Sequence, residues 1–168
     1  MGRVQQSFIN GVPGSVSRSV DDIIISIRNA SGADIPFGTP VFVTNDGAAP
    51  FDLSSPQEFD DFLGFAVRVA DKTPDTYPNT QNPQQFSQTG VWKAGDVMEV
   101  LVRGGIAVSL SNSGNNGGAV YIRKSDGGLT GAAGTAGSTM MLENVRIRNK
   151  QGSGETVSEV TVNARNNI

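Results

Sequence analysis

Residues 94–128, AGDVMEVLVRGGIAVSLSNSGNNGGAVYIRKSDGG, decide the fold class. Three short apolar runs are separated by glycine-rich turns, and no helical period passes through them. Between Val97 and Arg103 a strand places Met98, Val100 and Val102 on one face and Val97, Glu99, Leu101 and Arg103 on the other, because strand side chains alternate with period two. The first of these faces is dry. Gly104-Gly105 offers two residues free to take positive φ, as a two-residue hairpin turn requires, so a second strand is predicted over Ile106 to Leu110. Asn115-Asn116-Gly117-Gly118 and Ser125-Asp126-Gly127-Gly128 predict turns on either side of Val120-Tyr121-Ile122. This is the pattern of a β-meander.

The same alternation extends outward from the centre. Asp21 to Asn29 predicts a strand with Ile23, Ile25 and Ile27 on one face and Ile24, Ser26 and Arg28 on the other. Val41 to Thr44 follows two prolines, which suits a strand starting at a sheet edge. Phe62 to Ala70 sets Phe65, Val67 and Val69 against Ala66 and Arg68. Thr139 to Asn149 sets Met141, Val145 and Ile147 against Leu142, with Asn144, Arg146 and Arg148 turned to solvent, and Glu155 to Asn163 makes the last strand. One helical turn is predicted, with Ser55 as cap, Pro56 at its first position and Glu58 three residues on. The fold class is all-β: a small barrel or sandwich of about eight short strands with little helix.

Two segments stand outside this pattern. Residues 1–20 form an extended N-terminal arm, in which Val4, Phe8, Ile9 and Val12 are more apolar than a solvated tail needs; its reading is an arm that orders on a partner surface. Residues 71–90, DKTPDTYPNTQNPQQFSQTG, are a long Pro-rich loop within the single β-rich domain, residues 21–168.

Composition narrows the chemistry. The 168 residues contain no cysteine and no histidine. Disulfides, thiolate metal sites, His-based general bases and Ser-His-Asp hydrolysis are thereby excluded. The four lysines, Lys72, Lys93, Lys124 and Lys150, sit in no Ser-x-x-Lys motif. The acidic pairs Asp21-Asp22 and Asp60-Asp61, with Glu58, read as solvated turn residues, since neighbouring acids on a strand face opposite ways and no calcium-loop spacing follows them. No enzyme activity, metal or cofactor is expected. A formal charge of -3 gives no global field for nucleic acid, and no apolar run approaches the ~20 residues of a membrane helix, nor does the start resemble a signal peptide. Neither nucleic acid nor membrane is an expected partner. Arg146, Arg148 and Arg165, with Arg3, Arg18 and Arg28, lack the interleaved aromatics of a single-strand binder and read as surface ion-pair partners. Trp92 reads as a half-buried core anchor, and the sequon Asn29-Ala30-Ser31 as a chance match.

One resemblance goes further than these exclusions. Gly95-Asp96-Val97-x-Glu99-Val100, then Gly105-Ile106-Ala107-Val108, a small-residue loop, and Gly118-Ala119-Val120-Tyr121 before a Gly-Gly turn resemble the head decoration, or structural cement, proteins of tailed bacteriophages, over roughly Ile23 to Val162. The resemblance implies a virion protein, made in the host cytoplasm, that binds the outer surface of a capsid and stabilises the major capsid protein lattice, commonly as a homotrimer at local threefold positions. It further implies that the arm runs along the lattice, with Arg3, Val4, Phe8, Ile9, Val12 and Pro13 as its capsid contacts, and it supplies no catalytic residues. The alternative is a receptor- or glycan-binding β-domain of a phage head or tail fibre. The phenylalanines argue against it, since they fall mostly where a core would claim them.

Overall fold

The structure, a computed structural model, describes residues 11–55, 57–69, 90–111, 114–149 and 156–163, with the side chains of 18–20 and 156 excepted. Eleven strands are described: β1 (Val16–Arg28), β2 (Ile35–Pro36), β3 (Pro40–Thr44), β4 (Gly47–Pro50), β5 (Phe62–Ala66), β6 (Val91–Trp92), β7 (Val97–Leu110), β8 (Ala119–Arg123), β9 (Leu129–Thr130), β10 (Thr139–Asn149) and β11 (Thr156–Val162). The main sheet runs β4-β3-β5-β7-β11-β10-β8-β9 and is strongly curled, while β2 and β6 form a separate pair. The all-β barrel-like class expected from the periodicity is the class observed.

The organising element is β7, and it departs from the hairpin predicted at its centre. Gly104-Gly105 makes no turn; one strand of 14 residues runs straight through it. Met98, Val100 and Val102 belong to one core, whereas Ile106, Val108 and Leu110 belong to another. All six positions are even-numbered, and a regular strand would keep them on one face. The strand therefore changes sides at the glycine pair. Gly104 has φ +124, and a Cβ there would lie 1.8 Å from Asp22 Oδ1. Opposite it β1 bulges: Arg18 pairs with Gly105 and Ile23 with Arg103, which leaves residues 19–22 facing one glycine. A bulge bends a strand and tightens its twist, and here it re-aims β7 from one core to the other.

β7 divides the molecule accordingly. Its first half lies between β1 and β5, and its second half between β1 and β11. On the first side β4, β3, β5, β7 and β1 follow one another, and a parallel bridge from Asn29 to Ala48 joins the last to the first. This small closed barrel holds Ile35, Val41, Leu63, Trp92, Met98, Val100 and Val102, with the half-buried Ile25 and Ile27. The outer faces of β3, β5 and β7 then serve the second core, where Phe42, Phe62, Phe65 and Leu101 meet Val120, Ile122, Leu142, Val145, Ile147 and Val160 from the curled half. Every residue of β5 is buried for this reason.

Several expected boundaries shift. β5 ends at Ala66, four residues earlier than its alternation suggests. The helical turn exists as a single 3-10 turn, Phe59–Asp61, capped by Glu58 and not Ser55: the Glu58 N–H donates to Asp61 Oδ2 at 3.3 Å. On β10 it is Leu142 that joins Val145 and Ile147 inside, while Met141 is exposed, because the pairing with β8 slips between Leu142 and Arg146. Ile23 is exposed and does not share the inner face of Ile25 and Ile27, because the register with β7 slips between Ile23 and Ile24.

Candidate functional site

The two segments read from the sequence as an arm and a long loop adjoin one place in the described residues, the surroundings of Phe37. Residues 12–14 form a turn in which the Gly14 N–H donates to Ala107 O (2.8 Å) and Gly14 O accepts from the Arg68 N–H (2.8 Å). The fit is close, since a Cβ on Gly14 would lie 2.6 Å from Phe37 Cβ, and φ +82 already favours glycine there. The Phe37 N–H donates to Gly90 O (3.2 Å), and a Cβ on Gly90 would fall 2.0 Å from the Phe37 ring. The Arg68 guanidinium lies over the ring at 5.8 Å, and Trp92 meets its edge at 6.1 Å. Arg68 and Gly90 flank the long loop, whose residues 70–89 lie outside the described residues.

Of the expected arm contacts, Val12 and Pro13 are half-buried at this seam. Arg3, Val4, Phe8 and Ile9 lie outside the described residues. The sheet takes in part of the segment assigned to the arm, for β1 begins at Val16. A groove of ≈ 450 Å³ opens beside the turn, between Pro13, the Pro36–Pro40 segment and Leu129.

The acidic residues weighed as sites are dispersed. Asp21 pairs with Arg103, and Asp61, the last residue of the 3-10 turn, accepts from the N–H of its cap Glu58. Among the described residues no group of three or more acids comes together in a way that could hold a metal ion. The Lys93 ammonium, at 2.7 Å, holds the Asp34 carboxyl below its ordinary value. The Gly128 N–H, followed by the Arg123 guanidinium, does the same for Asp126. Asn29 of the sequon is 1% exposed, and its amide is committed to the fold: Nδ2 donates to the carbonyls of Ala33, Trp92 and Lys93, and Oδ1 accepts from Ser31. Trp92 is a core anchor, more deeply buried than expected, with Nε1 donating to Val67 O at 2.9 Å. Arg146 and Arg148 are exposed, and Arg148 lies 3.8 Å from Glu159.

Sequence reasoning did not isolate the exposed apolar residues Ile23 and Ile24, neighbours on β1, and Val97, which starts β7 opposite Arg28. The signal was present in the unbroken Ile23-Ile24-Ile25 run, since three consecutive isoleucines cannot all face one core.

With this geometry in hand, the comparisons with known proteins fall into place. Residues 3–163 match the family model described as "Structural cement protein (E217 gp24/Pam3 gp6)". A solved structure of the capsid of Myoviridae phage XM1 contains a chain with the same fold, at TM-score 0.71 and 16% sequence identity, covering 96% of this chain and 95% of that one. No curated protein matches the sequence. The chain belongs to the structural cement protein family. It is a structural virion protein that stabilises a phage capsid, and it associates with the major capsid protein lattice.

Proposed function

We propose that the protein binds the outer face of the assembled capsid as a homotrimer at local threefold positions, and that its N-terminal arm, through Arg3, Val4, Phe8, Ile9, Val12 and Pro13, runs along the major capsid protein lattice. The observation that carries this reading is the rigid root of the arm. Gly14 is bonded to both β7 and Arg68 and wedged against Phe37, so the chain leaves the domain from a fixed point on a packed seam. An anchored root lets a short arm act as a tether, because ordering the arm on a lattice does not also require ordering its attachment. Three arms held together multiply weak contacts by raising effective concentration.

The structure sets where to cut. Removing residues 2–10 spares the Gly14 bonds and β1, whereas a cut at Ser19 would remove the start of that strand. The shorter truncation is expected to keep its near-UV spectrum and lose co-sedimentation with parent capsids. Light scattering of the intact protein should give the trimer mass. Undiminished capsid binding by the truncated chain would remove the arm from the mechanism.

A further inference from the structure

We propose that the groove beside the arm's root is the resting seat of the chain's own N-terminal segment, which lays Phe8 and Ile9 into it until a capsid draws them out. Its walls suit an apolar guest. Pro13, Pro36, Phe37, Pro40 and Leu129 line a volume of ≈ 450 Å³, with Thr39 and Ser109 as polar neighbours. Concave, mostly apolar clefts of this size with a few polar groups are the usual form of a binding site.

The place where the described chain begins selects the occupant. Residues 1–10 lie outside the described residues and join them at Gly11, two residues from Pro13, which is itself a wall of the groove. Val69 and Gly90, which border the long loop, line no part of it. The chain also changes direction at this point. Pro13 and Gly14 are the central pair of a turn closed by the Ser15 N–H donating to Val12 O (3.0 Å), and Gly14 takes φ +82. Gly11 takes φ +77 just before it. Positive φ at glycine marks a turn and not an extended run, so the path is set to double back along its own root. At about 3.4 Å per residue Phe8 lies within about 10 Å of Gly11 along the chain. Residues 1–10, MGRVQQSFIN, contain no acid, and Phe8-Ile9 is their one adjacent pair of large apolar residues. A segment tethered this closely also outcompetes that of a second copy, because a short linker holds it at an effective concentration of roughly millimolar.

Groove and lattice then compete for the same two side chains, and apparent affinity for the capsid falls with the fraction of arms that are docked. For this exchange the inference rests on the arm reading above, while the docking itself is tested without a capsid. The chain has no cysteine, so two introduced thiols report only on each other. Ser7→Cys stands beside the guest pair without altering it, and Ser109→Cys or Thr39→Cys places the second thiol on the groove. Mild oxidation of dilute full-length protein should close a disulfide within one chain for at least one of these pairs, read as loss of both thiols at monomer mass with a native near-UV spectrum. Adding Phe8→Ser and Ile9→Ser should slow the closure at least tenfold; an unchanged rate would show that the tether alone brings the thiols together and would overturn the docking. Disulfide-linked dimer would assign the groove to a second copy's segment, and no disulfide with either position would assign it to another guest; each overturns the proposal. With parent capsids the oxidised variant should co-sediment at least tenfold less than the reduced one and recover on reduction, and equal binding by the two would overturn the exchange. Failure of the reduced variant and the wild-type chain alike would overturn the arm reading instead, with the disulfide result still deciding the docking.

Discussion

The two halves of β7 carry nearly the same sequence pattern and do opposite work. Before Gly104 the alternating apolar residues fill a small closed barrel; after Gly105 the same alternation, still on even-numbered positions, fills the core of the curled half. The first half reaches both cores, since Leu101 belongs to the second core while Met98, Val100 and Val102 belong to the first, and it leaves Val97 and Arg103 exposed. The second half is the more enclosed, for between Gly105 and Leu110 only Ser109 is exposed. What separates them is a backbone event that hydrophobic patterning cannot record. Periodicity reports which residues share a face locally, and a bulge resets the count.

Placing a charge where the chain is sealed should do the most damage. Val100→Asp puts an unpaired carboxylate into the small barrel and is expected to cost about 4 kcal/mol or to prevent folding, read as the loss of a cooperative urea transition. A melting temperature close to wild type would show that the small barrel is not the dry side. Gly104→Ala comes next, at about 3 kcal/mol, because the added methyl meets Asp22 at a backbone angle that favours glycine. This variant also tests whether the crossover couples the halves. Trp92 reports on the small barrel and Tyr121 lies on the curled half. Their transitions should coincide in the wild type and separate in the variant, as expected when two-state behaviour breaks down.

How much of this was legible in the sequence follows from the same comparison. The strand runs in β3, β8, β10 and β11 were readable because each has a patterned apolar face and turn residues nearby. β4, with the sequence Gly47-Ala48-Ala49-Pro50, was not, because its residues have low strand propensity and pairing with β3 and the bridge to Asn29 hold it extended. Gly104-Gly105 was misread because a glycine pair suits a tight turn and a bulge equally well. What decides is whether residues far away in sequence, here β1 and β11, occupy both edges of the strand. Of the candidate site, the chemistry of the arm was readable and its root was not: the convergence of Gly14, Arg68 and Gly90 on Phe37 exists only after folding.

Smaller effects sharpen the contrast further. Asn29→Ala withdraws an amide that serves three carbonyls where the small barrel closes. It should cost about 2 kcal/mol, as expected when buried acceptors lose their donor. Hydrogen exchange should accelerate at Gly95 and Ala30 before it does in β10, and a uniform change would mean that the closure is not local. Asp126→Asn, in the exposed β8–β9 turn, should cost only about 0.5 kcal/mol, since solvent screens its bond to Arg123. Its sign with pH is fixed: the folded carboxyl titrates below its ordinary value, so the contribution is complete above that value and disappears as pH falls through the depressed one. The wild-type and variant proteins should therefore converge in stability in acid, and a gap that widened there would contradict the assigned turn geometry.

The wedge at Gly14 also has a mechanical consequence. A pull on the N-terminal segment is received by backbone bonds to Ala107 in the second half of β7 and to Arg68, two residues past the end of β5. These elements belong to the most enclosed part of the molecule, where β7 lies between β1 and β11. Force entering there is shared among several bonds and reaches both cores together. A tether rooted on an outer strand would peel one bond at a time; rooted here, it loads the domain as a single body.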